Sequence, residues 1–250
     1  MTGANPPGAG ILDRSRIRLG RARRTVGAAG PQLAGAGRML SPGAASAALT
    51  FDDGPDPVWT ALVLDLLGEL GVPATFFLVG QRARAHPDIV RRMLDEGHGI
   101  GSHSASHPDP AAMPVRELVD DYRRGRWMVE SVAGVEVRLF RPPTGRIDLA
   151  HAPAIRASGL RPWLWSLDTE DWREGTTTEQ ILASVSPGDG DVVLLHDGLQ
   201  PAGSPEAHSR AATVAAVPVL VERYRRAGLS LVLLPDASSA PARPRAGVLQ

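Results

Sequence analysis

The chain has 250 residues, is 43% hydrophobic and balances 27 basic against 27 acidic side chains. That composition supports one large buried core or two small ones and excludes wholesale disorder; its neutrality argues against nucleic acid, because phosphate binding needs a basic excess. There is no Cys and every basic residue is Arg, which excludes disulfide scaffolds, iron–sulfur clusters, thiol nucleophiles and Schiff-base lysines.

Residues 1–45 are rich in Gly, Ala, Pro and Arg and read as an irregular leader. Basic residues from Arg14 to Arg24 are followed by sequence broken at Gly27, Gly30, Pro31, Gly35 and Gly37. A secretory signal needs a continuous apolar core there. No run reaches the roughly 20 apolar residues that span a bilayer. The expectation is a cytoplasmic protein, with secretion as the alternative.

From Ala47 the texture changes to short apolar runs alternating with helical periodicity, which predicts an α/β architecture. A strand over 47–51 ends at Asp52-Asp53. A helix over 58–70 places Val58, Leu62, Leu66 and Leu70 on one face and stops at Gly71. A strand over 74–79 and a helix over 86–96 follow. A strand over 99–104 ends at His103-Ser104-Ala105-Ser106-His107. A long amphipathic helix covers 115–132. A short strand over 138–140 runs into Arg141-Pro142-Pro143. Next come a helix over 150–158, a strand over 161–167 ending at Asp168, and a helix over 178–185. A strand over 191–195 ends at His196-Asp197. The helix over 209–227 is strained by Pro218, and a last strand covers 229–234. These elements predict one domain over 46–235, with 236–250 expected to be a disordered tail.

The polar residues follow a rule. Asp52, Asp53, His103, His107, Arg141, Asp168, Asp171 and His196 all fall at or just beyond predicted strand C-termini. In (β/α) barrels those ends form one face, and that face carries the chemistry. About seven strand–helix units predict a (β/α) barrel short of the usual ~eight.

Adjacent carboxylates plus two imidazoles at i, i+4 suit a divalent transition metal, most often zinc. Two carboxylates let one bind the metal while the other moves a proton. Two His and one carboxylate leave coordination positions open for water and substrate, as a catalytic site requires. His196 is a candidate proton donor, with Asp168 or Asp171 to orient it. Arg141 can hold a carboxylate through two hydrogen bonds. Each motif alone also has an ordinary explanation: an Asp-Gly turn, loop histidines, a core histidine, a surface Arg. The remaining His86, His98, His151 and His208 read as structural or solvated.

Five motifs in order resemble the polysaccharide deacetylase, or NodB-homology, family of metal-dependent carbohydrate esterases. They are Thr50-Phe51-Asp52-Asp53-Gly54-Pro55, His103-Ser104-Ala105-Ser106-His107, Arg141-Pro142-Pro143-Thr144-Gly145, Asp168-Thr169-Glu170-Asp171-Trp172 and Leu194-Leu195-His196-Asp197. The resemblance runs from about Ala47 to Leu234. It implies a distorted (β/α) barrel that removes N-acetyl groups from an amino sugar with one divalent ion, Zn2+ or else Co2+, Ni2+ or Mn2+. It further implies Asp53, His103 and His107 as metal ligands, Asp52 as general base and Arg141 as the residue that tethers and tunes it. His196 becomes the general acid, with Asp171 its expected partner and Asp168 the alternative. Leu194 and Trp172 become walls for the acetyl methyl. Thr144 stands where the family commonly has Tyr; its backbone N–H can still serve the oxyanion, but the missing ring bears on how a sugar is held. The alternatives are an O-acetyl esterase, a non-carbohydrate amidohydrolase, and a sugar-binding module without catalysis.

Overall fold

The computed structural model describes residues 29–199 and 209–238. Its centre is β1 (Ser46–Asp52), buried at all seven positions. The two-residue alternation of a strand sorts these side chains. Ala47, Leu49 and Phe51 join the outer apolar cluster under the helices, while Ala48 joins an inner one. Thr50 and Asp52 share that inner face.

All ladders between the strands are parallel. They involve β2 (Thr75–Leu78), β3 (Gly99–Ser102), β4 (Leu139–Phe140), β5 (Arg161–Pro162), β6 (Leu167–Asp168), β7 (Val192–His196) and β8 (Ser230–Leu231). The order is β5-β4-β3-β2-β1-β7-β6, with β8 on β1. Helices cover the outside and the sheet curls into a half-barrel. In α2 (Trp59–Leu70) the buried residues include Val63, Leu64 and Leu67, and Gly71 ends the helix in left-handed backbone (φ 65°). Each such aliphatic side chain removed from water contributes ~1.5–3 kcal/mol. In α5 (Val115–Ala133) Leu118, Tyr122, Gly125 and Val129 are buried in one stripe, the period of a helix that lies on a core.

The strand expected over 161–167 is instead two strands on opposite edges. Trp163 N–H donates to Phe140 O on β4 (2.8 Å), and Ser166 N–H donates to Val192 O on β7 (3.0 Å). The residues between must cross the seam of the sheet, so no single ladder can hold them. The strand expected over 229–234 shortens to two residues. A short helix with no apolar periodicity, α3 (Gly80–Ala85), precedes α4 (Pro87–Asp95). The remaining helices are α6 (Ala152–Ala157), α7 (Thr178–Ser184) and α8 (Ala211–Arg226), the last running through Pro218.

Part of the expected leader belongs to the fold. Helix α1 (Ala29–Ala34) lies against the 147–148 backbone, where a Cβ on Gly30 would come within 2.0 Å of Ile147 O. Gly37 pairs with the seam, its N–H donating to Pro162 O. Leu40 enters the inner cluster beside Phe77, Leu139, Val192 and Leu234. The small residues that read as loop composition are what such close backbone contact requires. Residues 1–28, 200–208 (with His208) and 239–250 lie outside the described residues; 236–238, expected in the disordered tail, belong to the fold, Ile100 N–H donating to Ser238 O (2.9 Å) and Ala237 packing on the inner cluster. No helix among the described residues is long and apolar enough to cross a membrane.

Candidate metal centre and its two acid–base pairs

Strand β1 delivers Asp52 on its inner face, and then the chain turns. Asp53 adopts left-handed backbone (φ 74°), so its carboxylate leaves in a different direction from that of Asp52. Arg82 of α3 donates to both Asp53 O and Leu199 O. Gly198 backs onto the same carbonyl, where a Cβ would lie 2.2 Å from Asp53 O.

Asp53, His103 and His107 form the one cluster of potential metal ligands among the described residues. Asp53 Oδ1 lies 3.5 Å from His103 Nε2 and 3.2 Å from His107 Nε2. Both Asp53 oxygens are buried without a hydrogen-bond partner. His103 Nδ1 sits 2.7 Å from Arg141 O. A carbonyl only accepts, so Nδ1 carries the proton and Nε2 presents its lone pair. Burial pushes the His107 imidazole down despite the pull of Asp53, which favours the neutral ring that a cation needs. Burial pushes the Asp53 carboxyl up, but the neighbouring imidazoles of His103, His107 and His196 outweigh it. The group is held far below the usual carboxylate range.

Asp52 faces Arg141, whose Nη1 donates to Asp52 Oδ1 (2.8 Å) and to Thr50 Oγ1 (2.9 Å). The same guanidinium donates to Trp163 O and Leu164 O, each at 3.0 Å. It stacks on Phe77, 4.1 Å from the ring centre. A fully buried Arg is tolerable only when so satisfied. Arg141 therefore ties the crossing segment 163–164 to β1.

Across the register from Asp52 stands His196. Its Nδ1 is 2.6 Å from Asp171 Oδ1, while Asp171 Oδ2 accepts from His196 N–H and Thr213 Oγ1, each at 2.8 Å. Burial pulls His196 down, but Asp171 more than reverses this and lifts it to about 9, with Asp53 and Asp52 adding. Burial pushes Asp171 up; His196, Arg210 and Thr213 outweigh it and hold it low.

Asp168 is not that partner. Its Oδ1 accepts from Glu170 N–H (3.0 Å), and it lines an open cavity of about 380 Å3 with Glu170, Arg173, Thr176 and Gln180. Leu194 is buried on the same face of β7 as His196. Trp172 is half-buried beneath the Arg173 guanidinium, 5.2 Å away. Thr144 is exposed in a left-handed turn (φ 58°) directly after Pro143.

Several polar groups escaped sequence reading. Thr50 and Asp197 lie within the quoted motifs but had no assigned contact. Asp197 is fully buried, accepts from Thr60 Oγ1 (2.6 Å) and is pushed up to about 7 by burial. A Cβ on Gly54 would collide with its carboxylate. Arg82, Arg210 and Thr213 carry no motif signal; they lie on helices or loops that only the fold brings to the rim.

A sequence model of the polysaccharide deacetylase family matches residues 41–163. The chain is 37% identical over 200 residues to a chitooligosaccharide deacetylase of Sinorhizobium fredii, covering 78% of this chain and 92% of the relative. Among solved structures, the Bc1960 peptidoglycan N-acetylglucosamine deacetylase superposes with a TM-score of 0.72 at 30% identity, over 84% of this chain and 95% of that one. An acetyl xylan esterase of Clostridium thermocellum in complex with cobalt matches with a TM-score of 0.64 at 34% identity, over 75% and 87%.

Proposed function

The chain belongs to the polysaccharide deacetylase family and is a carbohydrate deacetylase, and we propose that it hydrolyses the N-acetyl group of an amino sugar, releasing acetate. The substrate classes are a chito-oligosaccharide, a peptidoglycan-type glycan or a small N-acetylglucosaminyl conjugate. The observation that carries this reading is convergence: one trio of ligand atoms and two buried acid–base pairs meet on the same end of β1 and β7.

The trio fits a divalent ion. The unpartnered Asp53 oxygens and the imidazole Nε2 atoms supply the mixed oxygen and nitrogen donors that Zn2+ takes, and that Co2+, Ni2+ and Mn2+ accept. Held by Asp53, His103 and His107, such an ion would supply Lewis acidity toward the acetyl carbonyl and a water.

The chain's own residues supply the rest. Asp52, oriented by Arg141, takes a proton from the attacking water. The Thr144 N–H donates to the developing oxyanion. His196, whose pKa is raised in the metal-free protein by Asp171 above all, delivers its proton to the departing amine. Leu194 and Trp172 flank the methyl group.

The test is acetate release by protein stripped of metal and reloaded with zinc or cobalt. The panel holds N-acetylglucosamine oligomers, small N-acetylglucosaminyl conjugates and acetylated xylan fragments. Metal-dependent release from the first two supports the proposal. Release from xylan alone favours O-acetyl ester hydrolysis, the activity named for the Clostridium relative. Silence from all, with metal bound, sinks the substrate assignment.

A further inference from the structure

Between the two histidines of the ligand trio lies Ser104-Ala105-Ser106, and this turn is bent hard. Ser104 (φ 71°) and His107 (φ 55°) both adopt left-handed backbone without being glycine. Such positions cost of order 1–3 kcal/mol each and persist only when the surroundings over-determine them.

The surroundings come from two helices. The first two N–H groups of α3, Gly80 and Gln81, donate to Ser104 O (2.9 Å) and Ala105 O (3.0 Å). From the other side comes α5. Its Asp121 Oδ1 accepts from Ala105 N–H (2.9 Å), and Oδ2 accepts from Ser106 Oγ (2.9 Å). One turn further, Gly125 lets α5 approach the turn, where a Cβ would lie 2.2 Å from Ser104 C. Residues at i, i+4 share a helix face, so Asp121 and Gly125 form one seat for the turn. Within the turn, His107 N–H donates to Ser104 Oγ (2.9 Å).

Asp121 is 1% exposed. Its single ion-pair partner among the described residues, Arg124 (2.8 Å), is half in solvent. A half-solvated Arg returns little for burying a carboxylate. What the buried charge does obtain is two donors from the segment that carries both imidazoles.

We propose that Asp121 is a positioning residue for the metal centre: it holds the 103–107 turn so that both imidazole Nε2 atoms face Asp53, and thereby sets metal affinity from outside the ligand set. The proposal rests on reading Asp53, His103 and His107 as the ligands.

The experiment measures zinc Kd by competition with a chromophoric chelator, together with the cobalt d–d absorption. The proteins are wild type, Asp121→Asn, Asp121→Ala, Ser106→Ala, the double Asp121→Ala/Ser106→Ala, and His107→Ala. Far-UV circular dichroism and the Tm of each metal-free protein check the fold. Asp121→Ala is expected to weaken zinc about 10–100-fold and to alter the cobalt band, as loss of an orienting partner does. Asp121→Asn, which keeps one acceptor, is expected to recover part of the loss. Ser106→Ala is expected to act in the same direction but less, and the double variant to be no worse than Asp121→Ala, because both act through one contact. A folded Asp121→Ala with wild-type Kd and spectrum overturns the proposal. Should that variant not fold, unchanged zinc Kd in both Asp121→Asn and Ser106→Ala overturns it. Failure of the underlying reading looks different: His107→Ala would bind zinc as wild type does, and the proposal would fall with it.

Discussion

Two buried histidines stand at opposite ends of the half-barrel and behave in opposite ways. His196 ends β7 at the rim; His98 immediately precedes β3 at the foot. They are 7% and 2% exposed. Burial disfavours the charged imidazole in both. At His98 burial wins and the pKa falls to about 4. Its nearest carboxylate, Glu96, is 3.8 Å away, partly solvated and already engaged by Arg92. At His196 a fully buried Asp171 oxygen lies 2.6 Å away and the pKa rises to about 9. Both rings are withdrawn from solvent; the distance and desolvation of the acid decide the charge. At the rim two buried carboxylates each face a cation, Asp52 with Arg141 and Asp171 with His196, and the site can move protons. The foot leaves its histidine neutral.

The division predicts that rim substitutions cost rate and foot substitutions cost stability. The largest effect is expected for Asp52→Asn, which keeps the shape and removes the base. Turnover should fall about 10³–10⁴-fold, with zinc content unchanged by metal analysis. Retention of a tenth of the rate would remove Asp52 from that role. Next is Asp171→Asn. A general acid must be protonated, so rate falls as pH rises through the His196 pKa, about 9 in the metal-free protein. A bound cation lowers that limb through like-charge repulsion. Without Asp171 the burial that rules at His98 rules here too. The basic limb of kcat should move to lower pH by at least about one unit, with kcat down about 100-fold. An unmoved limb in the pH–rate profile would break the comparison at its strongest point. Arg141→Lys comes third. An ammonium cannot reach Asp52, Thr50, Trp163 and Leu164 together, so both a rate loss of about tenfold and a stability loss of about 1–3 kcal/mol are expected. Kinetics and thermal melts read the two separately.

The rim was legible in sequence for a physical reason. A residue just past a buried parallel strand has few places to go, so apolar runs ending in Asp52, His103, Arg141 and His196 already implied one polar face. Helix α5 was legible from its period; α2 was legible in extent but not in face, since Val58 and Leu62 are 55% and 41% exposed while Val63, Leu64 and Leu67 are buried. The seam was not. The run from Pro162 to Leu167 is apolar but for Ser166, and no turn residue marks where β5 ends and β6 begins; only the pairing of Trp163 with β4 and Ser166 with β7 divides it. Nor could composition separate a mobile Gly/Ala-rich leader from one whose Gly30 and Gly37 press against backbone and ring. The choice between Asp168 and Asp171 beside His196 depended on how the turn after β6 folds back, and Glu170 in left-handed backbone (φ 52°) sets that.

The smallest effect is expected at the foot, and it isolates the other half of the comparison. His98 Nδ1 accepts the Ala74 N–H at 3.2 Å, so the ring is held neutral with its proton on Nε2. In the unfolded chain its pKa returns to the ordinary 6.5, against about 4 when folded. Between those values the unfolded state binds the proton and the folded state does not. Stability is therefore whole above pH 6.5 and falls as pH drops toward 4, by about 3 kcal/mol from this group alone. His98→Gln, whose amide oxygen can still accept from Ala74, should lose some stability at neutral pH and show a shallower decline toward acid. Its kcat and the pH limbs of its activity should match wild type. The measurement is urea unfolding at several pH values from 7 to 4.5, wild type against variant, because carboxylates elsewhere lower both curves and only the difference belongs to His98. Parallel curves would mean that the foot histidine titrates normally. Burial would then not be the force that Asp171 must overcome at His196, and the account of the rim would lose its physical basis along with that of the foot.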